Sequence, residues 1–85
     1  MKLTNRLIET ISRDAGRACI EIAFNACMNA DEPEQQYIIL THIAAHLFGA
    51  CGAAYERANP GTAKVEAAKA TVEHISRILI KTYSQ

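Results

Sequence analysis

The chain predicts an all-α fold, an elongated antiparallel three-helix bundle that self-associates. Two breaks, Asp31-Glu32-Pro33-Glu34 and Asn59-Pro60-Gly61-Thr62, cut its 85 residues into three stretches. Each stretch repeats apolar residues at three- and four-residue intervals, the spacing of one helical face. The apolar residues also exceed what a single small core needs. The expected helices run over about 4–29, 32–58 and 62–83 of a single domain, 1–85.

The first helix starts at Thr4, whose hydroxyl suits an N-cap, with Leu3 and Ile8 placed for a hydrophobic staple. Ile8, Ile11, Ala15, Ala18, Ile22 and Ala26 form its expected core stripe, and Glu9 and Arg13 an i,i+4 pair outside it. At the first break Asp31 is the expected cap and Glu34 its partner, with acid collected at the positive end of the helix dipole. The second helix carries two apolar stripes. Gln36, Leu40, Ile43, Leu47, Ala50 and Ala54 make the inward one, and Tyr37, Ala44, Phe48, Cys51 and Tyr55 the other, which makes this helix the central one. At the second break Asn59 or Thr62 is the expected cap. Beyond it Val65, Ala68, Val72, Ile75 and Leu79 alternate as a heptad, and Glu73 and Arg77 pair on the outer face.

Helices of about 25 residues are about 37 Å long, and so slender a bundle of 85 residues buries little by itself. Second stripes on two helices are more than one third helix covers. Ile20, Phe24 and Cys27 on the first helix and Tyr37, Phe48 and Tyr55 on the second are therefore the candidate interface residues of a homo-oligomer, in its simplest form a dimer. For the aromatic stripe, packing against the third helix is the competing reading.

Charge narrows the partners. Nine basic and nine acidic side chains leave no net field to hold a polyanion, so duplex nucleic acid is not expected. From Ala18 to Tyr55 there is no Lys or Arg at all. Three cysteines in apolar runs, without a C-x-x-C pair, fit reduced thiols and a cytoplasmic location. No targeting segment is expected, and Asn25, Asn29, His42 and His46 interrupt the longest apolar runs, so neither is a membrane partner.

Few residues invite chemistry. His42 and His46 are four apart, a spacing that helical metal sites use, and a hairpin about Asp31 sets Cys19 at their height. No fourth ligand joins them, so no metal and no cofactor are expected. Arg6, Arg13 and Arg17 share the outer side of the first helix, where guanidinium groups offer bidentate donors to an anion. His42, His46, Arg13 and Arg17 are thus the candidate ligand-binding residues, with solvated or hydrogen-bonded surface as the plainer reading. The run His46-Leu47-Phe48-Gly49 resembles the His-Lys-Gly run of histidine phosphotransfer domains over a few residues only, with Phe in place of Lys and Gly one position too close, and it assigns no family. Gly49 and Gly52 lie inside a helical pattern, and Ala45, Gly49 and Ala53 form a small-residue ridge that predicts close helix packing, with a ligand groove or a helix break near Gly49 as the alternative. On that reading Gly49→Ala costs about 1–3 kcal/mol as overpacking.

With no nucleophile beside a base, the chain is not expected to be an enzyme. The expectation is a small helical protein that acts by binding another macromolecule, of the adaptor or inhibitor type seen among microbial and phage accessory proteins. The alternative is an oligomer that binds or sequesters a small anion or nucleotide.

Overall fold

The computed structural model describes residues 2–84; Met1 and Gln85, the ends of the expected domain, lie outside the described residues. The chain is all-α, with α1 at Asn5–Cys27, α2 at Pro33–Ala58 and α3 at Lys64–Tyr83, and no strand among the described residues. Its contacts divide it into two compact units, one running to Thr41 and the other starting at His42. The first holds α1 and the first turns of α2, the second the rest of α2 and α3.

The ends of the helices follow from their capping chemistry. Thr4 is extended and its Oγ1 accepts a hydrogen bond from the Leu7 amide at 3.2 Å, which ties down one of the free donors of α1. At the other end the side-chain amide of Asn29 donates to the Ala26 carbonyl at 2.9 Å. α2 begins at Pro33 rather than behind an Asp31 cap. Proline at the first helical position has no amide to satisfy and a dihedral already set for the helix, and the Gln36 amide closes the first turn onto the Glu32 carbonyl at 3.0 Å. Asn59 and Thr62, the two expected caps of α3, serve the turn instead. The Asn59 side chain donates to the Tyr55 carbonyl at 3.1 Å, and the Thr62 hydroxyl donates to the Asn59 carbonyl at 2.6 Å. Gly61 takes a positive φ of 91°, which glycine adopts without strain, and Ala63 becomes the N-cap with no side-chain bond. α2 is continuous through Gly49 and Gly52.

In the first unit, Ala23 and Cys27 are buried on α1 and Gln36, Ile39 and Leu40 half-buried on α2. The Cys27 thiol donates to the Gln36 carbonyl at 3.7 Å, and the Gln36 side chain donates to the Ala30 carbonyl at 3.0 Å, so the polar Gln36 is fully engaged at the turn. The expected stripe of α1 is not the one that packs. Ile8, Ile11, Ala15, Ala18 and Ile22 are exposed, whereas Gly16, Ala23, Ala26 and Cys27 turn away from solvent. In the second unit α3 does the same: Ala67 and Thr71 are buried and Ile75 half-buried, while Val65, Val72 and Leu79 are exposed. On α2 the sheltered positions are Ile43, Ala44, Phe48, Gly52, Tyr55 and Glu56, and the expected inward residues Leu47, Ala50 and Ala54 face solvent. The most buried positions are therefore small side chains, which let two backbones approach closely, with Ile39, Leu40, Ile43 and Ile75 half-buried beside them and most other large aliphatic side chains exposed.

The surface pairs are few and weak. Glu73 and Arg77 pair as expected, but Arg13 lies 3.9 Å from Asp14, its own neighbour, rather than on Glu9. Exposed pairs of this kind contribute less than about 1 kcal/mol.

Candidate functional site

Within the second unit, α2 and α3 enclose a groove of about 480 Å³. Its floor is small: Ala45, Gly49, Gly52 and Ala53 from α2, Ala67 and Ala68 from α3. Phe48 and Val72 supply the large apolar walls, and Glu56 and Lys64 close one end at 3.6 Å from each other. Thr71 is the buried polar residue at the contact. Its hydroxyl is spent inside α3, donating to the Ala67 carbonyl at 2.8 Å, so it can sit beside Gly52 without leaving a hydrogen bond unmade.

The ridge Ala45/Gly49/Ala53 is thus part of the floor of a groove and not a close helix contact. Among the described residues nothing lies within 4 Å of where a Gly49 Cβ would stand, and a Gly52 Cβ would meet Thr71 Oγ1 at 3.8 Å, an ordinary contact. The overpacking expected of Gly49→Ala has no atom to act through. In a single chain, at concentrations too low for association, Gly49→Ala is instead expected to stabilise by about 0.5–1 kcal/mol, through helix propensity and a less free unfolded chain. Denaturant melts of the two proteins check the sign.

A second, smaller hollow of about 360 Å³ lies beside it, lined by Cys51, Ala54, Tyr55, Ala58, Thr71, His74 and Ile75. Here the Tyr55 and His74 rings are 6.4 Å apart and tilted by 53°, a loose aromatic contact between α2 and α3. His74 shares this hollow with Ile75.

The candidate interface residues separate into two groups. Ile20, Phe24 and Tyr37 stand in solvent at 54, 61 and 68% exposure. Cys27 is buried inside its own hairpin, and Phe48 and Tyr55 are half-buried beside α3. Arg13, Arg17, His42 and His46 are exposed, and no group of three or more His, Cys, Asp or Glu among the described residues is placed to hold a metal ion. Sequence reasoning missed Ala67 and Thr71, whose signal was present as small residues four apart beside the heptad of α3.

By length and composition, one helix among the described residues, α2, is long and apolar enough to cross a membrane, with a mean hydropathy of 1.5, although His42 and His46 fall midway along it. No family model matches the chain, and neither a curated protein nor a solved structure matches it.

Proposed function

We propose that this chain is a non-enzymatic binding protein that works as a homodimer and presents an apolar face to another macromolecule. The observation that carries the reading is its surface. Among the described residues seventeen large hydrophobic side chains stand exposed, and no large side chain is fully buried. Scattered apolar residues are normal on a protein surface, but a chain whose large side chains are mostly outside has its core partners elsewhere. Ile20, Phe24 and Tyr37 are the residues for the partner macromolecule, since they lie outside the α2/α3 groove and no basic side chain accompanies them between Ala18 and Tyr55.

Light scattering at micromolar concentration is expected to return at least twice the 9.3 kDa chain mass. A species of one chain mass at high concentration removes the dimer. The partner surface is tested by affinity capture from host extract with Phe24→Glu as control: a protein retained by the wild type and lost by the variant, at unchanged dimer mass, supports the reading. Equal capture by both defeats it.

A further inference from the structure

We propose that the α2/α3 groove is closed by the same groove of a second copy, so that two hairpins meet as an antiparallel four-helix bundle. This rests on the reading of the chain as self-associating and specifies where the copies touch.

The spacing of the apolar residues asks for a facing helix. On α3, Val65, Ala68, Val72, Ile75 and Leu79 alternate by three and four, the seam of a coiled coil. The hairpin does not cover that seam: α3 turns Ala67 and Thr71 toward α2, one position round, and leaves Val65, Val72 and Leu79 at 63, 51 and 53% exposure. Ala68 and Val72 line the groove. On α2 the lining residues Ala45, Phe48, Gly52 and Glu56 step by three and four as well, so both walls carry the pattern. Their small floor lets another helix backbone come close, as helix packing at short axial distance requires.

Charge and exposure choose the occupant. A two-fold contact sets one patch against its own copy, so a patch of a single sign repels itself. The charged residues lining this groove are one acid and one base, Glu56 and Lys64, already paired. Val65, Val72 and Leu79 are each more than half exposed in one chain, so the α3 seam itself is the apolar surface that a second copy would cover. A bilayer fits less well, because exposed Ile78, Leu79 and Ile80 are flanked on α3 by Glu73 and Arg77 before them and Lys81 after them, which hydrocarbon does not take up cheaply.

Sedimentation equilibrium of the full chain, with helicity followed by circular dichroism, tests this. Val72→Glu puts a carboxylate on the seam and Gly49→Leu, a change that favours helix, fills the groove; each is expected to weaken self-association at least tenfold. Ile22→Glu, at an equally exposed position on α1, is expected to leave it unchanged. A dimer that ignores both groove changes and yields to Ile22→Glu overturns the groove as the meeting place and leaves the dimer standing. A wild-type monomer removes both. Should Val72→Glu be unfolded at every concentration, Gly49→Leu decides alone, and unchanged affinity in it sinks the proposal. Wild-type protein that is monomeric in solution and floats with phosphatidylcholine vesicles makes the bilayer the occupant instead.

Discussion

Phe48→Ala is expected to cost about 3–5 kcal/mol of stability at concentrations where the chain is associated, the range found when a fully enclosed aromatic ring is removed. In one chain Phe48 is only half-buried, as a wall of the α2/α3 groove. The ring therefore has two sources of burial, α3 of its own chain and whatever closes the groove. The loss should shrink on dilution, because the contribution of a second copy follows mass action while that of α3 does not. Thermal melts over a hundredfold range of concentration separate the two. A melting temperature within a few degrees of wild type throughout means that the ring meets solvent in the working protein, and the groove has no occupant.

Ala67→Leu is the other large effect. Ala67 is the most enclosed residue of the core at 2% exposure, and it lies where α3 meets α2. A leucine there has no space in the hairpin contact and must push the helices apart, which costs about 3 kcal/mol, the upper part of the usual overpacking range. The part of this loss that arises between α2 and α3 of one chain is independent of concentration, as the α3 share of the loss at Phe48 is. Chemical denaturation monitored by helicity measures it, and a change below about 1 kcal/mol would show that the hairpin holds less tightly than its buried alanine implies.

The contrast between those two residues explains what was legible in the sequence. The fold class was, and so were the helix ends to within two residues, because Thr4, Pro33 and the Asn59-to-Thr62 turn act locally through caps, fixed dihedrals and missing donors. The packed faces were not. A periodicity argument weighs Ile8, Ile11 and Ile22 above Gly16 and Ala23, since larger side chains gain more from burial, yet α1 buries the smaller set. The same inversion moves α3 from Val65/Val72/Leu79 to Ala67/Thr71. A pattern shows which residues share a face and leaves open whether a face meets its own chain or another molecule. Of the candidate residues, Ile20, Phe24 and Tyr37 stand in solvent, whereas Cys27 was misjudged because its thiol reads as surface spacing on α1 but bonds to Gln36 at the hairpin turn.

A core made of Ala23, Cys27, Ala67 and Thr71 has a bearing on the life of the protein in a cell. With such a core a lone chain has little to oppose the entropy of unfolding, so on the reading proposed above newly made copies would be open to proteases until they paired. On the proposed reading, abundance then responds to gene dosage more steeply than in proportion: below the dissociation constant most copies are cleared, above it most survive. A twofold change in synthesis across that threshold would change the surviving amount by more than twofold, a sharp dependence of the protein on its own expression.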